Sequence, residues 1–75
     1  MPVERLRNTL RVERARRGLT QEGLADLVGV TRKTINTVEN GRFVPSTVLA
    51  LRLARALSRP VEILFHLESV RGGEA

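Results

Sequence analysis

The sequence predicts an all-α domain, a compact five-helix bundle, and three observations lead there. Gly and Pro stand at Pro2, Gly18, Gly29, Gly41, Pro45, Pro60 and Gly72 to Gly73, and the segments between them suit short helices rather than strands. Residues that cap helices follow those breaks at Thr20, Thr31 and Ser46. Apolar residues then recur at helical spacing, as Leu24, Ala25 and Val28 do.

The first helix has two candidate starts. Pro2 suits a first turn, whereas Asn8 is a good N-cap with Leu10 and Arg14 following at helical spacing, and Asn8 is the stronger of the two. Gly18 ends this helix after the cationic pair Arg16 and Arg17, as the helix dipole and a left-handed C-cap prefer. Thr20 caps a second helix over Gln21 to Val28, and Gly29 stops it. Thr31 caps a third running through Asn40, with Ile35, Val38 and Glu39 facing inward and Arg32, Lys33, Asn36 and Thr37 facing outward. Ser46 caps a fourth to about Leu57. Pro60 opens a fifth, very short helix over Val61 to Leu64. After it, Phe65, Leu67 and Ser69 alternate with His66 and Glu68, the pattern of a short terminal strand, for which Val3 to Leu6 is the candidate partner. Residues 1–70 read as one domain and 71–75 as a flexible tail.

Composition narrows the function. A chain of 75 residues buries only about 60% of its unfolded surface, which makes it marginal alone. Without cysteine there is no disulfide or thiolate metal site to help, and the single His66 cannot hold a metal by itself. Self-association is the remaining stabiliser. The formal charge of +5 comes from twelve Arg and one Lys against eight acidic residues, which points to a polyanionic partner. An anionic membrane would want an aromatic-rich apolar face, but the only aromatic residues are Phe43 and Phe65. No apolar run reaches the ~20 residues of a membrane span, so the expectation is a cytoplasmic, nucleic-acid-binding protein. No catalytic constellation competes with that reading: Ser46 and Ser58 read as cap or loop residues, and neither stands near His66 in a nucleophile motif. No enzyme activity, cofactor or separate small-molecule domain is expected.

Only Gly29, Val30 and Thr31 separate the second and third helices, so the chain must turn sharply there, and Gly29 provides the left-handed corner. This is helix-turn-helix geometry. With Ala25, Val30 and Ile35 holding the pair together, the N-terminal turn of the third helix faces outward, where polar side chains reach base edges in a major groove.

The segment GLTQEGLADLVGVTRKTINTVENGRFVPS closely resembles the Cro and phage-repressor-like (XRE) family of small bacterial transcriptional regulators, with the lambda-repressor-like DNA-binding fold. The resemblance covers about Leu10 to Phe65. Its anchors are Leu19-Thr20-Gln21, Leu24-Ala25, Gly29-Val30, Thr34-Ile35, Glu39-Asn40-Gly41 and Pro45-Ser46. It implies that Arg32, Lys33, Asn36 and Thr37 meet bases, while Thr20, Gln21, Thr31, Thr34, Asn40 and Arg42 meet phosphates. Side-chain chemistry agrees. Arg pairs bidentately with guanine, Asn with adenine, and Thr offers a methyl to thymine; Gln21 at a helix N-terminus suits a phosphate. The same resemblance implies a partly buried ion pair between Arg14 and Glu39, tying helix one to helix three. Three positions depart from the family pattern: Glu13 and Thr47 replace commoner apolar residues, and Gly23 lies inside a helix at a cost of about 1 kcal/mol relative to alanine.

The fourth helix carries two apolar stripes. Thr47, Ala50, Leu51, Ala54 and Leu57 are expected to face the core. Val48, Leu49, Leu53 and Ala56 then form a second stripe that, with Phe65 and Leu67, is expected to make a homodimer interface. The functional expectation is a double-stranded-DNA-binding regulator, a repressor acting as a homodimer on an inverted-repeat operator. Two rivals stand beside it: a protein- or RNA-interaction module on the same bundle, and the DNA-binding antitoxin or controller of a two-gene system.

Overall fold

The computed structural model describes residues 3–70. Its elements run β1 (Val3–Asn8), α1 (Leu10–Arg16), α2 (Gln21–Val28), α3 (Arg32–Glu39), α4 (Thr47–Leu57), α5 (Val61–Leu64) and β2 (Phe65–Val70). The five expected helices are present. The all-α description is corrected, because β1 and β2 pair as a two-stranded antiparallel sheet with Leu6 opposite Leu67 and Asn8 opposite Phe65. The expected tail, 71–75, lies outside the described residues.

Helix starts follow their caps. The side chains of Thr20, Thr31 and Ser46 accept from the backbone N–H groups of Gly23, Thr34 and Leu49, three residues on in each case. Each hydroxyl thereby satisfies a donor that the first helical turn leaves unpaired. The first helix begins one residue later than expected, with Thr9 at the cap. Asn8 belongs to β1 instead, although its Oδ1 still accepts from the Leu10 N–H at 3.0 Å. Its Nδ2 donates to the Val38 carbonyl at 2.9 Å, joining the strand to α3. Gly29 turns the chain between α2 and α3 with φ of +78°, a conformation costly for any residue carrying Cβ.

The core consists of Leu10, Leu24, Ala25, Val28, Ile35, Val38, Leu49, Leu53, Leu57 and Leu64. Every helix contributes to it. On α4 the buried stripe is Leu49, Leu53 and Leu57. The phase expected for this helix is therefore corrected: Leu49 and Leu53 belong to the protomer's own core and are not available to a dimer interface, while Thr47 and Leu51 face solvent. The physical reason is volume. Three leucines at four-residue spacing fill the space over α2 better than a stripe that mixes Thr47, Ala50 and Ala54 with two leucines, and Ala54 and Ala56 pack at the margins of that face.

Two departures from the family pattern also find an explanation. Glu13 is buried on α1, with its Oε1 3.4 Å from Arg16 Nε and 3.2 Å from Arg59 Nε, so two cations offset its charge. A Cβ at position 23 would lie 3.1 Å from Thr20 Oγ1. Glycine there leaves room for the cap that begins α2.

Candidate nucleic-acid interface

The α2–α3 corner places one end of each helix on a common surface. At the start of α3, the Thr31 hydroxyl caps the Thr34 N–H and lies 3.1 Å from the Thr34 hydroxyl. Arg32 and Lys33 follow on the exposed side, and Asn36 lies one turn further along the same side. Opposite them, Ile35 and Val38 are buried. A helix apolar on one side and cationic on the other cannot rotate without burying charge, so packing fixes which side chains face out.

Thr37 is half-buried, and its hydroxyl donates back to its own helix, with the Lys33 and Thr34 carbonyls 3.1 and 2.9 Å away. That leaves its methyl as the group free to contact a partner. Among the described residues, no carboxylate lies within ion-pair distance of Arg32, Lys33 or Arg42, as is also the case for Arg5, Arg17, Arg52 and Arg55, whereas Arg7, Arg11, Arg14, Arg16 and Arg59 each have one. The uncompensated cations of α3 and its following turn face solvent.

Behind this surface, Glu39 organises the supporting contacts. Its side chain has no exposed area, and Arg14 meets it through Nε to Oε2 at 2.6 Å and Nη2 to Oε1 at 3.3 Å. Arg14 also donates to the Leu19 carbonyl at 2.8 Å. Gln21 Nε2 donates to Glu39 Oε1 at 3.1 Å, and Arg11 Nε does so at 3.3 Å. Burial pushes the Glu39 carboxyl pKa up, but the hydrogen bonds from Arg14, Gln21 and Arg11 and the charge of Arg14 outweigh it, and the pKa lies below its ordinary value. The hydrogen bond to Glu39 likewise raises the Arg14 pKa, against the opposing effect of burial. The expected Arg14–Glu39 pair is thus part of a larger cluster joining α1, α2 and α3.

Gln21, expected to face a phosphate, uses one amide N–H inside this cluster and retains a second. Thr20 stands at the same helix end, and Asn40 and Arg42 lie exposed just beyond α3. Sequence reasoning missed Arg11. It stands three residues before Arg14, hence on the same side of α1, and that spacing was the available signal. Among the described residues, no group of three or more His, Cys, Asp or Glu side chains could hold a metal ion, and no helix is long and apolar enough to cross a membrane.

Residues 5–64 match the family described as helix-turn-helix domain. An uncharacterized HTH-type transcriptional regulator of Methanothermobacter thermautotrophicus is 52% identical over 64 residues, covering 84% of this chain and 93% of that one. The uncharacterized HTH-type transcriptional regulator YgzD of Bacillus subtilis is 44% identical over 63 residues, covering 84% and 96% respectively. Among solved structures, the restriction-modification controller protein C.AhdI from Aeromonas hydrophila superposes with a TM-score of 0.67 at 42% identity, covering 71% of this chain and 77% of that one. The clp gene regulator ClgR from Corynebacterium glutamicum gives the same TM-score at 33% identity, over 69% of this chain and 55% of its own. With the turn, the capped helices and the outward cations of α3 already in place, these likenesses assign the chain to the helix-turn-helix family of DNA-binding transcriptional regulators, of the Cro and phage-repressor-like (XRE) kind.

Proposed function

We propose that this regulator reads a specific duplex sequence through α3, binds as a homodimer to an inverted repeat, and represses by occupying the promoter. The observation that carries the reading is the outward side of α3, where Arg32, Lys33 and Asn36 are exposed beside a buried Ile35 and Val38. Arg and Lys on a groove-facing helix pair with guanine, and Asn supplies amide donors and an acceptor. Thr37 adds its methyl. Thr20, Gln21, Thr31, Thr34, Asn40 and Arg42 are the phosphate-facing set of this reading, which would fix register without reading sequence.

The dimer rests on apolar surface that one protomer leaves uncovered. Val48 and Leu51 on α4 are 58% and 55% exposed, and Leu67 on β2 is 62% exposed. Phe65 and Ala56 lie half-buried at the edge of the core. A two-fold pair would set its two recognition helices ~34 Å apart, one DNA turn. The likeness to a restriction-modification controller favours one narrower role, control of such a gene pair; a preferred operator located beside those genes would support it.

Selection of bound sequences from a random duplex pool tests the reading, with a palindrome whose half-sites are about one DNA turn apart as the expected result. A pool with no preferred sequence would overturn it. In the same assay Arg32→Ala should relax one base position and cost roughly 1 to 3 kcal/mol, while Gln21→Ala should weaken all sequences alike. Identical behaviour of the two variants would defeat the division into base-facing and phosphate-facing residues.

A further inference from the structure

Asn36 is not an isolated amide. Arg11 Nη2 donates to Asn40 Oδ1 at 2.9 Å, and Asn40 Nδ2 donates to Asn36 Oδ1 at 3.3 Å. This relay runs from α1, past the end of α3, to the side chain on the groove-facing side. Its polarity is set at the arginine. A guanidinium has only donors, so Asn40 must turn its oxygen toward Arg11, which leaves its NH2 for Asn36. Asn36 must then turn its oxygen inward and its own NH2 outward. The arginine is itself anchored, because its Nε donates to Glu39, whose side chain is fully buried and also held by Arg14 and Gln21.

We infer that Arg11, outside the recognition helix, is a specificity-determining positioning residue: through Asn40 it fixes Asn36 with its amide donors facing the groove. An asparagine free to rotate can pair bidentately with adenine, using both its donor and its acceptor. Held with NH2 outward, it favours an edge that presents acceptors only, and guanine, with N7 and O6, is the purine of that kind. This inference rests on the proposal that α3 reads base edges.

The test is the duplex selection repeated with the full chain and three variants. Asn36→Ala identifies the operator position that Asn36 reads, by relaxing it. Arg11→Ala should reduce the guanine preference at that same position by about tenfold, the scale of one amide-to-base contact, and leave the profile elsewhere unchanged. Asn40→Asp provides a second route that keeps the partner of Arg11. Its carboxylate cannot donate to Asn36, so the Asn36 amide turns over, and that position should shift toward adenine even as the added charge lowers affinity for every duplex.

A wild-type pool without a preferred sequence overturns the base-reading proposal and this inference with it. An Asn36→Ala profile equal to wild type also overturns the inference. If Asn36→Ala relaxes a position but Arg11→Ala weakens all duplexes equally, Arg11 is a phosphate contact only, and the inference fails while base reading stands. Guanine retained at that position by Asn40→Asp overturns it likewise.

Discussion

Glu39 is a fully buried carboxylate held by two arginines and a glutamine. Removing either partner of such a pair strands a charge away from water, which is far more costly than losing a surface ion pair. Arg14→Ala should lower stability by about 3 kcal/mol in thermal denaturation while leaving the preferred DNA sequence unchanged; equal melting temperatures would refute the structural role. The pH dependence has a definite sign. Because the folded carboxyl has a pKa below its unfolded value, near 4.5, its contribution is complete above that value and is lost as the pH falls through the lower, folded one. Melting temperature should therefore drop in acid below about pH 4.5, and Glu39→Gln should flatten that part of the profile. The pair itself was legible in the sequence through family resemblance. For Arg11 the sequence offers only its spacing from Arg14 on one side of α1; that it reaches Glu39 and Asn40 depends on how α1 packs against α3.

Elements bounded by local chemistry are the ones the sequence specifies most completely. Thr20, Thr31, Ser46 and Gly29 act on backbone groups no more than four residues away, and the starts of α2, α3 and α4 and the end of α2 follow from them. The phase of α4 has no such local signal. Apolar residues occupy most of its circumference, and the choice between stripes is made by the surfaces of α2 and α5, which a periodicity cannot see. Leu53→Ala should cost about 2 to 5 kcal/mol because it opens a cavity in a fully buried site. Leu51→Ala should leave unfolding of the protomer within about 0.5 kcal/mol of the parent. Under the dimer proposal, Leu51→Glu should also shift sedimentation toward the monomer, and an unchanged sedimentation profile would remove α4 from the interface.

For the whole molecule, the strands matter most. Val3 to Leu6, the partner expected for β2, do pair with it, and the strand runs on through Arg7 and Asn8, where the sequence offers an N-cap instead. In the fold, the Thr9 N–H donates to the Leu64 carbonyl at 2.9 Å and the Thr9 hydroxyl to the Ile63 carbonyl at 2.8 Å. These bonds, with that from Asn8 to Val38, fasten the base of the ribbon to the bundle. Beyond it, most residues of both strands are exposed, and the Arg7–Glu68 pair at 3.3 Å is solvent-facing on both sides, an arrangement worth at most about 1 kcal/mol.

That attachment sets an order of events. The paired strands enclose the entire helical sequence between them, so closing the ribbon before the helices assemble would mean confining the longest loop in the chain without compensating contacts. The ribbon must therefore zip last and open first, with its lifetime depending on the bundle but not the reverse. Amide exchange should report this directly: the N–H groups of β1 and β2 should exchange through partial opening well before those of Ile35 and Leu53, which await global unfolding. Equal protection throughout would mean that ribbon and bundle melt as one unit. If they separate as expected, whatever clamps the ribbon acts on a part of the molecule that can come and go while α3 stays folded.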